Sequence, residues 1–211
     1  VTLGSTSSQV NLDELPKVTI DDVKAIMLAD IVDTSLVKFP SNYAYRIIGK
    51  DGFYAHLKGN PDNTWEELQK GYIIIDDMRA CFDPSLGLPG RYNIKDVAEM
   101  KILRKIDLVT PEDSTITFLL EDLEAFTVPF EDSLTGIELT QFIPPGIVDN
   151  PTAYMYNLIA ADEYTQTISY EQLQMGYYII ELDRVLYTDP SISSRLKVKH
   201  LNRLLILKPS D

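Results

Sequence analysis

Apolar and polar residues alternate with a period of two through much of this chain, as they do in a strand with one buried face. "YAYRIIGKDGFYAHL", Tyr43 to Leu57, alternates on both sides of Gly49-Lys50-Asp51-Gly52, a hairpin signal. "YMYNLIAADEYTQTI", Tyr154 to Ile168, alternates around Ala160-Ala161-Asp162-Glu163, a chemically poorer turn. "STITFLLED" from Ser114, "LRKIDL" from Leu103 and "LNRLLIL" from Leu201 read as further strands. "VKAIMLADIV" from Val23 and "LTGIELTQFI" from Leu134 read as strand ends running into short helices.

Helical spacing returns in two short strings that resemble each other. "TWEELQKGYIII" begins at Thr64 and "SYEQLQMGYYII" at Ser169, with seven of eleven positions identical after the first. This is an internal repeat. Thr64 with Glu67 and Ser169 with Gln172 form capping-box pairs that start a helix. In the second copy Ile168 precedes the cap and can staple onto Leu173. Gly71 and Gly176 sit where a positive φ would stop the helix, and short apolar strands follow.

The repeat extends outward from these strings. Without a gap, Asp21 falls on Asp132, Leu28 on Leu139, Pro40 on Pro151, Tyr45 on Tyr156 and Ile48 on Ile159. The first copy then carries about six extra residues, "GNPDNT", a loop signal. The closing segments overlay with Met100 on Val198. The expectation is an α+β protein made of two small mixed units: a flexible leader at 1–9, unit 1 at 10–108, a linker at 109–114 and unit 2 at 115–208.

Composition narrows the class. Hydrophobic residues make up 45% and charged residues 24% of 211 positions, which is globular. No apolar run reaches the roughly 20 residues that cross a bilayer as a helix. A net charge of −13 argues against nucleic acid and anionic membranes as partners. One cysteine, Cys81, allows neither an internal disulfide nor a multi-thiolate metal site. The opening "VTLGSTSSQ" reads as a small polar leader of the kind that follows a removed signal, or a lipid anchor upstream of it, so the expected location is extracytoplasmic, in the periplasm or at the cell surface.

In order and spacing these pieces resemble the molybdopterin-binding domain of the sulfite oxidase type. Family members show a "G-V-x-L-x-D-L-L" segment, a strand into "D-G-Y", a short helix opened by Ser or Thr, a "G-P-x-R" approach and a closing "V-K-x-L-x-x-I-x-V". Ala25 to Val32, Asp51-Gly52-Phe53, Thr64 to Gly71, Gly90-Arg91 and Met100 to Leu108 correspond in unit 1. Gly136 to Ile143, Asp162-Glu163-Tyr164, Ser169 to Gly176, Arg195 and Val198 to Ile206 correspond in unit 2. The resemblance implies the fold core of that domain. It also implies a lost metal site, because the family holds molybdenum through a cysteine thiolate. Here the matching places, "SQVNLDELPKV" and the neighbourhood of Leu119 and Leu120, hold none, and Cys81 lies elsewhere. No cofactor and no metal are expected.

Few residues are candidates for chemistry. Cys81 has no His or basic cluster nearby in sequence to activate it and reads as structural. His56 and His200 lack metal-ligand spacing. "LGLPGRY" at Leu86 lacks the phosphate-loop pattern. The carboxylates Asp76-Asp77 and Glu121-Asp122-Glu124 carry no sequence-defined geometry. Arg91 and Arg195 occupy matching places, as do Arg79 and Arg184; the first pair are the anion-binding candidates. Twelve tyrosines recur largely in step between the copies, as core positions do.

The leading expectation is a non-catalytic binding or structural protein, exported or surface-attached, with a protein or glycan partner. One alternative is an enzyme or redox partner holding a small anionic or pterin-like ligand between the two units. The other is a glycan- or protein-binding module acting through exposed tyrosines.

Overall fold

Alternation over so much of the chain commits it to sheet, and strands take up 40% of the computed structural model. Residues 1–3, 6–35, 37–55, 62–128 and 134–208 are described. Among them α-helix is confined to two five-residue segments, and other helical turns are 3-10 stretches of three or four residues. The protein is β-rich, which overturns the α+β expectation. "LADI" and "LTQF", which read as helix starts, close as single 3-10 turns at Leu28–Ile31 and Leu139–Phe142. Each turn buries its first and fourth residues and goes no further.

The chain divides into two compact units, Val1–Arg104 and Lys105–Asp211. Unit 1 contains β1 (Thr2–Leu3), β2 (Thr6–Ser7), β3 (Val18–Ile20), β4 (Val23–Met27), β5 (Tyr43–Gly49), α1 (Trp65–Gln69), β6 (Gly71–Ile74), β7 (Arg79–Phe82) and residues 97–104 of β8 (Val97–Val109). One antiparallel sheet runs β3-β4-β6-β7. In the other, β8 pairs antiparallel with β5 on one edge and parallel with β1 on the other. Both sheets face one core, with Ile26 and Ile73 from the first, Tyr45, Ile47 and Ile102 from the second, and Leu68 from α1.

Unit 2 takes residues 105–109 of β8 and adds β9 (Thr115–Leu119), β10 (Phe126–Thr127), β11 (Thr135–Glu138), β12 (Met155–Ala160), β13 (Thr165–Ser169), α2 (Tyr170–Gln174), β14 (Gly176–Ile179), β15 (Arg184–Tyr187) and β16 (Leu201–Leu207). Its sheets run β10-β11-β14-β15 and β13-β12-β16-β8-β9. Residues 110–114, read as linker, turn the β8–β9 hairpin; Thr110 N–H donates to Ser114 O at 2.9 Å. Residues of the expected leader enter β1 and β2.

The units agree down to single hydrogen bonds. Tyr45 Oη donates to Pro40 O at 2.9 Å, and Tyr156 Oη to Pro151 O at 2.9 Å. Trp65 tilts against Tyr45 as Tyr170 does against Tyr156, with centroids 5.7 and 6.0 Å apart. Both capping boxes are complete. The ladder slips at Ile48/Gly49 in one unit and at Ile159/Ala160 in the other. Left-handed φ angles recur at Gly52 and Glu163, Met78 and Asp183, and Asp96 and His200.

The matched slip fixes the alignment of the closing strands. Gly49 pairs with Val97 and Ala160 with Leu201, so Val97 corresponds to Leu201 and Met100 to Leu204, not to Val198. Hairpins β6–β7 and β14–β15 are elements that pattern alone does not announce.

Candidate functional site

The residues 195–199, Arg-Leu-Lys-Val-Lys, alternate basic and apolar. Across the 3-10 turn Ser194–Leu196 and the residues after it, Leu196 and Val198 go inward and Arg195, Lys197 and Lys199 do not. Val198 is buried and Leu196 packs on the core of unit 2, while Arg195 and Lys199 are exposed and Lys197 half-buried. Lys199 forms an isolated bridge to Arg184 at the start of β15, which brings a fourth cation alongside.

Together these four line an open cleft of about 310 Å³ with Ala160, Asp162, Tyr164 and Ser194. Two tyrosines tether its wall. Tyr164 Oη donates to Arg195 O at 3.1 Å, and Tyr187 Oη to Leu196 O at 3.3 Å, so the 3-10 turn Ser194–Leu196 is held from both sides. Burial raises the Tyr187 phenol well above its ordinary value, so it stays a donor. Asp162 is occupied by the turn, its Oδ1 accepting from Tyr164 N–H at 3.2 Å. Among the described residues none of Arg184, Arg195, Lys197 and Lys199 has an ion-pair partner within 4.0 Å. The cleft is therefore a cationic concavity with guanidinium forks able to hold a carboxylate, sulfate or phosphate group.

Unit 1 carries the same frame with different chemistry. Arg79 and Arg91 stand where Arg184 and Arg195 do, but Asn93 replaces Lys197, and Phe53 and Phe82 replace the two tethering tyrosines. Arg79 is neutralised by Asp77 at 3.2 Å. The counterpart of Asp77 is Leu182, which is why Arg184 is left without a carboxylate. Of the two anion candidates, Arg195 joins a cluster, whereas Arg91 is an exposed side chain without one. Lys197 and Lys199 were not singled out by motif, although the basic alternation of 195–199 carries the signal.

Other candidates separate. Cys81 is half-buried on β7, and burial raises its thiol pKa, opposed by nearby Arg79 and reinforced by Asp77. That is the opposite of thiolate activation. His200 Nδ1 lies 2.7 Å from Asp183 Oδ2, and Tyr178 Oη donates to Asp183 Oδ1 at 2.6 Å, an arrangement that pins a left-handed turn. His56 lies outside the described residues. Leu119 and Leu120 are buried core. Asp76, Asp122 and Glu124 are exposed. Among the described residues no group of three or more His, Cys, Asp or Glu is placed to hold a metal ion.

Tyr45 and Tyr156 are fully buried, and Tyr43, Tyr72, Tyr154 and Tyr177 half-buried, matching pair by pair. Tyr54 and Tyr164 are the exposed ones among the described tyrosines. No helix among the described residues is long and apolar enough to cross a membrane. No known protein family, curated protein or solved structure matches the chain.

Proposed function

We propose that the chain is a non-catalytic binding protein of the extracytoplasmic space whose second unit captures an anionic group presented by a protein or glycan partner. The observation that carries this reading is the cluster of Arg184, Arg195, Lys197 and Lys199 without ion-pair partners, in a chain of net charge −13. Carboxylates outnumber basic residues 32 to 19, so four cations lining one cleft run against the charge of the whole chain. A site so placed gains nothing from long-range steering, since the whole molecule repels anions, and relies on short-range charge-assisted hydrogen bonds. Tyr164, 44% exposed at the rim, adds an aromatic face for the carrier of the anion.

Calorimetric titration of the full chain with inorganic pyrophosphate at low ionic strength tests the reading. Saturable binding is expected, weakened about tenfold by Arg195→Glu or Arg184→Glu and unchanged by Arg91→Glu. Pyrophosphate is expected to be recovered intact, as a non-catalytic binding site requires. Absence of saturable binding, or equal loss with Arg91→Glu, contradicts it.

A further inference from the structure

The cationic cleft of unit 2 has a direction as well as a charge. One wall is the turn between β12 and β13, residues 160–164, and the other is residues 194–199. At one end Tyr164 Oη donates to Arg195 O at 3.1 Å, and at the other Ala161 N–H donates to His200 O at 2.9 Å. Arg195 therefore stands at the Tyr164 end, Lys199 and its bridge partner Arg184 at the far end, and Lys197 between them. The cations form a row, which suits a ligand with more than one anionic group.

The main chain of both walls is already engaged. The N–H groups of Arg195 to Val198 all donate within the unit, to Ser193 Oγ, Ser193 O, Ser194 O and Leu196 O in turn. The carbonyls of Arg195, Leu196 and Val198 accept from Tyr164 Oη, Tyr187 Oη and Val185 N–H. Across the cleft the N–H groups of Ala160, Ala161, Glu163 and Tyr164 also donate internally. A peptide added as a strand draws its affinity from free ladder groups, and this cleft offers few. Recognition falls to side chains.

Those side chains are of three kinds. Four are cations. Tyr164 is 44% exposed with its hydroxyl held, so what it turns outward is ring. Asp162 is the third kind. Its Oδ1 accepts from Tyr164 N–H, its Oδ2 has no partner among the described residues, and neither oxygen lies within 4.0 Å of a cleft cation. A carboxylate repels the anions that the four cations attract, unless the same ligand also brings hydrogen-bond donors. Hydroxyl donors beside anionic groups, with an apolar face for an aromatic ring, describe an acidic sugar.

We propose that the cleft takes a short stretch of acidic glycan. Carboxylates or sulfates of successive sugars lie along the cation row, hydroxyls donate to Asp162, and one sugar face covers the Tyr164 ring. The inference rests on the anion-binding reading above and adds the chemistry of the carrier. Unit 1 keeps Asp51 and Phe53 at the places of Asp162 and Tyr164, but it has Asn93 in the middle of the row and Arg79 paired to Asp77.

Calorimetry of the full chain at low ionic strength compares trigalacturonate, its fully methyl-esterified form, capped triglutamate and pyrophosphate. Trigalacturonate is expected to bind saturably, about fivefold tighter than triglutamate of the same charge, and the ester not to bind at the same concentrations. Tyr164→Leu should weaken trigalacturonate about fivefold, and Tyr164→Phe, which keeps the ring and loses the tether to Arg195, should restore most of that. Equal loss in the two Tyr164 variants, or an ester that binds like the acid, overturns the proposal. So does triglutamate binding as tightly as trigalacturonate, which would make an acidic peptide the occupant. Pyrophosphate binding without trigalacturonate binding overturns the glycan and leaves the anion site standing, whereas binding of neither overturns both.

Discussion

Gly71 and Gly176 serve clearance and not a left-handed turn. Neither has a positive φ; each opens a strand, and a Cβ there would lie 2.6 Å from Leu28 Cδ1 or Leu139 Cδ1. The expected helix stop is instead supplied by the end of the hydrogen bonding at Lys70 and Met175, neither of which has a left-handed φ. Two positions that sequence marks correctly as glycine therefore carry a different reason, one that only the packed neighbours reveal. The capping boxes, by contrast, were legible, because all their partners lie within four residues. Gly176→Ala should destabilise by about 1–3 kcal/mol through overpacking, and combined with Leu139→Ala it should cost less than the two single losses summed. Urea unfolding of the singles and the double measures it; additive losses would deny the contact.

At the scale of elements, the hairpin arm of each unit carries a cross-strand pair in one of two chemistries. Arg46 makes a two-pronged bond to buried Asp62, at 2.7 and 2.9 Å, and its guanidinium lies over Tyr54, 4.5 Å from the ring centroid. At the matching place in unit 2, Thr167 Oγ1 donates to Asn157 Oδ1 at 2.7 Å. Asp62→Thr alone should cost about 2–3 kcal/mol, since it strands a partly buried guanidinium. Adding Arg46→Asn, which imports the neutral pair, should recover most of it in the same unfolding assay; a double variant worse than the single would show that the pairs are not equivalent.

Strands were legible because period two needs no neighbours, but their pairing was not. The overlay of Met100 on Val198 is off by six residues, and an even shift preserves every inward and outward position. Alternation alone therefore cannot reject it, and the shared ladder slip is what fixes the register. The α+β expectation failed for a related reason. Apolar residues three apart suit a single 3-10 turn as well as the start of an α-helix.

For the whole molecule, duplication supplies the frame and divergence supplies the chemistry. The frame repeats in buried tyrosines, caps and left-handed residues, and the sequence exposed it through two nearly identical strings. What differs is local: Leu182 for Asp77, Lys197 for Asn93, Tyr164 for Phe53 and Tyr187 for Phe82. Those four exchanges accompany the cleft of four cations in unit 2. Arg195 was visible in the sequence as a candidate, but its separation from Arg91 was not, because it depends on β15 and residues 195–199 meeting across a bridge.

Amide chemical-shift mapping of the labelled full chain during a pyrophosphate titration tests the binding account most directly. The account predicts saturable shifts at Tyr164, Arg184, Arg195 and Lys199, with Arg79 and Arg91 unmoved. Shifts of equal size at both sets, or at neither, would contradict it.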